Sequence, residues 1–187
     1  MRLTAVLLCY LSLLLPLSVA GQPQVYEVSK GTVRFHSDAQ HELIKASSDN
    51  LAGIVDIAKR TFYFKISIAS FVGFNSPLQK EHFNESYMES DIFPIAVYTG
   101  KIIEDINLSV DGDFNIRTKG KLTIHGVDRQ CIIKCHITCK KGVVTIQSDF
   151  VVLLADYNIK IPRIVYDKLS PEINVSINAI LLPRTSS

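Results

Sequence analysis

Hydrophobic and polar residues alternate with a period of two through most of the chain, the spacing of half-buried β-strands. The clearest instance is Lys121–Leu154 (KLTIHGVDRQCIIKCHITCKKGVVTIQSDFVVLL). Cys131, Ile133, Cys135, Ile137 and Cys139 take every second position there, and Lys134, His136, Thr138 and Lys140 fill most of the places between. Past a turn at Lys140-Lys141-Gly142, the residues Val144, Ile146, Phe150, Val152 and Leu154 continue an apolar face opposite Thr145, Gln147 and Asp149. The pattern predicts a long antiparallel hairpin with one apolar side.

The same signal recurs along the chain. Gln24–Val28 and Thr32–His36 read as short strands split by Lys30-Gly31, a first hairpin. Ser37–Asn50 is polar and mixed and reads as irregular, with a candidate short strand at Glu42–Ala46. Gly53–Ala58 leads through a Lys59-Arg60 turn to Thr61–Ile68, where Phe62, Phe64, Ile66 and Ile68 alternate with polar residues or Tyr63. Strands are expected again at Ile95–Ile103, Asp113–His125 and Ile173–Leu181, with an irregular stretch at Tyr157–Pro171 carrying Pro162 and Pro171. The alternation breaks at Phe74–Asp91. There Ser76, Pro77 and Gln79 fit an N-cap, a first helical position and the partner of a capping box. Leu78, His82, Phe83 and Tyr87 or Met88 recur at helical spacing. One short amphipathic helix beside about eight strands predicts a mainly β protein, and a closed antiparallel barrel is preferred over a two-sheet sandwich.

Composition changes the picture chiefly at the amino terminus. Arg2, an apolar run over Leu3–Leu17 and small residues at Ser18-Val19-Ala20 have the layout of a secretory signal peptide, giving a signal segment 1–20 and one domain over 21–187. A single-span anchor is the alternative, disfavoured because about twenty apolar residues are wanted for a span and Pro16 and Ser18 shorten this run; no span is expected after cleavage. The formal charge is only +2 over 187 residues, without the basic stripe that marks a nucleic-acid partner. A periplasmic or secreted protein is expected.

Chemistry is sparse. Cysteines four apart on a strand lie about 13 Å apart at roughly 3.3 Å per residue, beyond the Cα separation of under about 7 Å that a disulfide spans. Cys131, Cys135 and Cys139 therefore read as buried free thiols, with an intermolecular disulfide, and so a homodimer, as the alternative. Neither a zinc-protease helix, a phosphate-binding glycine loop nor a nucleophile elbow occurs. His82 and His125 remain candidates for polar contacts at a pocket mouth. Asn84-Glu85-Ser86, Asn107-Leu108-Ser109 and Asn174-Val175-Ser176 match the glycosylation pattern and read as chance matches. Neither a metal nor a cofactor is implied.

Two segments carry a family resemblance. Gly120-Lys121-Leu122-Thr123-Ile124-His125-Gly126-Val127-Asp128-Arg129 resembles the G-x-L-T-I-H-G-V-x-R/K signature of the YceI-like polyisoprenoid-binding proteins. Glu81-His82-Phe83, Ser90-Asp91-x-x-Pro94 and Tyr98-Thr99-Gly100-Lys101 are similar to that family's helix and following strand. The resemblance implies an exported, lipocalin-like eight-stranded barrel holding a long-chain isoprenoid or a fatty-acid-like amphiphile. A tunnel lined by Phe62, Phe64, Ile66, Ile133, Ile137, Val144, Ile146, Phe150 and Val152 is then expected, with Phe83 and Tyr87 bordering its entrance. Burial of about 0.8 kcal/mol per CH₂ would hold such a chain without exacting polar chemistry. The competing readings are an enzyme acting on such a lipid through His82, His125 or a cysteine, and a packed, ligand-free barrel.

Overall fold

The computed structural model describes residues 25–108 and 110–184. The expected signal segment at 1–20 lies outside these residues.

Nine strands form the sheet: β1 (Val25–Asp38), β2 (Leu43–Ser48), β3 (Ala52–Asp56), β4 (Thr61–Ser67), β5 (Ile95–Ile102), β6 (Gly112–Ile124), β7 (Val127–Lys140), β8 (Val143–Leu153) and β9 (Glu172–Pro183). All pairings between the named strands are antiparallel. The sheet closes because β1 pairs with β9 from Tyr26↔Pro183 to Ser37↔Ile173. The other edge of β1 is shared by β3, at Val25–Glu27, and β2, at Val33–Asp38. Counting β2 and β3 as one broken stave, the wall is a closed eight-stranded barrel, a size whose interior holds side chains or one small ligand.

Local chemistry sets the turns. The β6–β7 turn is His125-Gly126 and the β7–β8 turn is Lys141-Gly142, and all four residues have φ between 49° and 78°. Two successive left-handed residues make the primed turn whose twist matches the flanking strands. One short helix, α1 (Pro77–His82), continues into a single wide turn at Phe83–Tyr87. The Ser76 hydroxyl accepts from the Gln79 N–H at 3.1 Å, while Gln79 Oε1 accepts from the Asn75 N–H at 3.0 Å. The reciprocal cap expected at this point is present, with its return bond displaced by one residue.

Three expectations need correction. β1 runs without a turn through Lys30-Gly31, with only a register irregularity between Val28 and Lys30. Gly31 is required by a neighbour instead, since a Cβ there would lie 2.9 Å from the Leu51 Cβ. Leu43–Ser48 is a full strand inside a stretch read as mostly irregular, with Ile44 facing the lumen and Ala46 and Ser48 buried. The β7–β8 hairpin is short: pairing ends at His136↔Gln147. Beyond it β7 stays with β6 and β8 with β9. Cys131 and Val152 then pack on a cluster with Leu154, Tyr157 and Ile159, which fills the divergence.

Candidate functional site

Strand alternation decides which side chains enter the barrel. Even positions on β4, β5, β6 and β8 and odd positions on β7 and β9 point inward and surround a cavity of about 550 Å³, within the range of roughly 300–1,000 Å³ typical of small-molecule sites. All eleven residues singled out from the sequence line it: Phe62, Phe64 and Ile66 on β4, Ile133 and Ile137 on β7, Val144, Ile146, Phe150 and Val152 on β8, with Phe83 and Tyr87 after α1. The wall also includes Phe35, Tyr98, Leu122, Val175 and Ile177, which the sequence reading did not name as site residues. For β9 the signal was available in its own alternation. For Tyr98 it was masked by the threonine and glycine that follow.

The two ends of the cavity differ. At the floor, Leu108 from the β5–β6 loop packs with Tyr26, Cys139, Val144 and Leu181, the last with no exposed surface. The Cys139 thiol donates to the Leu108 carbonyl at 2.8 Å. At the opposite end the lining passes to exposed residues: Leu78 and His82 on α1, and Lys168 beside Val165 and Leu169 in the β8–β9 connection. This end is the mouth. Phe83 anchors the helical segment to it by ring contacts at 5.5 Å with Phe35, 5.9 Å with Phe71 and 5.0 Å with Phe74. Glu42 ties α1 to β2, accepting from the Gln79 amide at 2.8 Å.

Polar groups at mid-depth are satisfied by the wall itself. The Tyr98 hydroxyl donates to Thr118, whose carbonyl and Oγ1 lie 3.1 and 3.0 Å away. Thr118 Oγ1 donates to the Ile133 carbonyl at 3.0 Å, and Ser148 Oγ to the Lys134 carbonyl at 2.8 Å. The surface these strands offer a ligand is therefore hydrocarbon. Burial pushes the Tyr98 hydroxyl and the Cys131, Cys135 and Cys139 thiols above their ordinary values, which keeps them neutral. Tyr157 is pushed up to about 12, again mainly by burial.

Of the candidates for chemistry, His82 lines the mouth, while the described cysteines and His125 are held elsewhere in the wall and its turns. The three described cysteines are free thiols on the lumen side of β7, too poor in thiolate for strong nucleophiles. His125 is committed to structure, its ring nitrogens lying 3.0 Å from the Tyr157 carbonyl and 2.6 Å from Glu89 Oε2. Among the described residues no group of three His, Cys, Asp or Glu could hold a metal ion. Asn84, in one sequon, gives its amide to the Lys80 carbonyl at 2.9 Å.

A family model described as a YceI-like domain matches residues 26–181. Among solved structures, the chain is similar to a polyisoprenoid-binding domain from Saccharophagus degradans implicated in plant cell wall breakdown, with TM-score 0.73 and 15% identity over 85% of this chain and 98% of that one. BcnA of Burkholderia cenocepacia gives TM-score 0.65 and 14% identity over 80% and 95%. The YCEI protein of Campylobacter jejuni gives 0.57 and 16% over 75% and 85%. At such identities the likeness establishes the fold. No curated protein matches the chain.

Proposed function

The chain belongs to the YceI-like family, and from that premise we propose that it is an exported carrier or scavenger that holds a long-chain isoprenoid or similar amphiphile in the barrel lumen. The observation that carries this reading is the cavity: about 550 Å³, closed at one end and lined almost entirely by hydrocarbon. Burying roughly 0.8 kcal/mol of hydration per CH₂ favours a chain with many methylene or prenyl units. Self-satisfied hydroxyls along the wall leave a polar head no partner at mid-depth, so the head sits at the mouth, near Gln79, His82 and Lys168. The name of the Saccharophagus degradans domain, a polyisoprenoid-binding one, supports the same ligand class. The pattern at residues 1–20 supports export. A binding role is favoured over catalysis because His125 and the thiols are held in structural or neutral states.

The test is native mass spectrometry of the purified protein before and after solvent extraction, followed by re-incubation with isoprenoid quinones or fatty amides. A mass excess that extraction removes and incubation restores is expected. A bare mass throughout would contradict the reading. Amino-terminal sequencing of the mature protein checks export, with a new terminus near Gly21 expected.

A further inference from the structure

We propose that the β8–β9 connection at residues 160–169, with Leu78 of the same mouth, is a docking tip that rests on an anionic lipid bilayer while the cavity fills or empties. The inference depends on the lipid-binding reading for its purpose but on separate surface features for its evidence.

This connection has two unlike sides. Val165 and Leu169 line the cavity. Between them and just before, Ile164 is 87% exposed and Tyr166 is 62% exposed. The three-residue turn Arg163–Val165 produces this split, because about three residues per turn send adjacent side chains in different directions. On α1, Leu78 lines the mouth yet is 57% exposed. Apolar side chains thus stand on both the lumen side and the outside of the rim.

Charge identifies the occupant. Lys160, Arg163 and Lys168 are all exposed and flank Ile164 and Tyr166, and Asp167 is the single acid within 160–169. None of the three cations has a carboxylate partner among the ion pairs of the described residues. Elsewhere on the rim, Glu42 is already held by Asn75 and Gln79, and Glu81 lies on α1 beside Lys80. Exposed aliphatic and tyrosine side chains bracketed by lysine and arginine suit the headgroup boundary of a negatively charged bilayer, where the cations stay at the phosphates and the apolar tips enter. A protein partner would need about 20–30 residues on each side, far more than this tip presents. The tip is also held in place, since the His41 N–H donates to the Asp167 carbonyl at 2.9 Å and the Ser170 N–H to Ser37 Oγ at 2.9 Å. The described helices include none long and apolar enough to cross a membrane, so the contact proposed is peripheral.

The chain has no tryptophan, so Ile164→Trp supplies a clean fluorescent probe. With phosphatidylcholine vesicles containing phosphatidylglycerol, its emission shifts to the blue and is quenched by lipids brominated near the glycerol, and Lys160→Glu with Arg163→Glu weakens binding about tenfold at low salt. No shift, or an equal shift in the charge-reversed protein, overturns the proposal, as does binding to a protein partner that vesicles do not compete for. A second arm separates docking from carriage: Ile164→Glu keeps equilibrium binding of a fluorescent prenyl lipid delivered from ethanol but loses its uptake from vesicles. Equal vesicle uptake by wild type and Ile164→Glu overturns docking and leaves carriage standing. Failure of the wild type to bind the lipid from either source overturns carriage, and the emission shift still decides docking.

Discussion

His125, at the β6–β7 turn, and Glu89, just beyond the helical segment, meet at 2.6 Å, and both hold left-handed backbone conformations. The other ring nitrogen of His125 donates to the Tyr157 carbonyl, and Phe93 packs edge-on against the ring at 4.7 Å. One side chain, 11% exposed, thus fastens both long top connections to one turn. Nearby, Arg129 Nε donates to the Asp156 carbonyl at 2.7 Å, and Asp128 accepts from Thr123 and Lys121. The signature segment Gly120–Arg129 is therefore a structural clasp.

Removing that clasp has a defined cost. His125→Ala leaves the Tyr157 carbonyl and Glu89 without their partner, and is expected to lower stability by about 1–3 kcal/mol. Urea unfolding measures the loss, and amide exchange should rise over 83–91 and 154–161. A change under about 0.5 kcal/mol, the usual effect of a neutral surface substitution, would contradict the assignment.

The lumen and the floor should respond differently to truncation. Leu181→Ala deletes a side chain packed on all sides and should cost about 3–5 kcal/mol, whereas Ile146→Ala, which borders the cavity, forfeits fewer contacts and should cost about 1–2 kcal/mol. Equal losses in denaturant unfolding would indicate a packed interior in place of a cavity.

Stability should fall at alkaline pH. Burial raises the folded-state values of Cys131, Cys135 and Cys139, so the unfolded chain loses its thiol protons first. The contribution is complete below the unfolded thiol value, about 8.5, and is lost as pH climbs through the raised folded values. Urea midpoints from neutral to alkaline pH should decline, and replacing all three with alanine should flatten the onset. An unchanged onset in that variant would refute the mechanism.

Gly120 is expected to be intolerant of any side chain. A Cβ there would lie 2.4 Å from the Thr99 carbonyl oxygen and 2.9 Å from the Tyr98 ring. Gly120→Val should destabilise the barrel by about 1–3 kcal/mol through overpacking and displace Tyr98 from Thr118, visible as an ultraviolet shift of the tyrosine spectrum. Wild-type stability would show that the wall yields.

How much was legible follows from range in sequence. The inward faces of β4, β7 and β8 could be read because Cys131 to Cys139 and Phe62 to Ile66 alternate against lysine and other polar side chains, a purely local signal. Lys30-Gly31 misled because glycine is also a turn residue, and its actual reason is Leu51, twenty residues away. β2 is mostly small and polar, so its strand identity comes from pairing with β1. The divergence of β7 from β8 depends on Tyr157 and Ile159, and the rings around Phe83 come from Phe35, Phe71 and Phe74. None of these contacts has a periodic signature. The ligand class came from the family resemblance, since alternation alone does not distinguish a packed interior from a cavity.

The most direct test of the lumen as a ligand chamber is photo-crosslinking with two prenyl lipids, one carrying a diazirine at the tail and one beside the head, mapped by peptide mass spectrometry. The tail probe should label cavity-facing wall residues such as Phe64, Ile146 and Ile177, and the head probe the mouth around Gln79 and Phe83. Labels confined to outward residues such as Ile132 and Val151 would contradict the account.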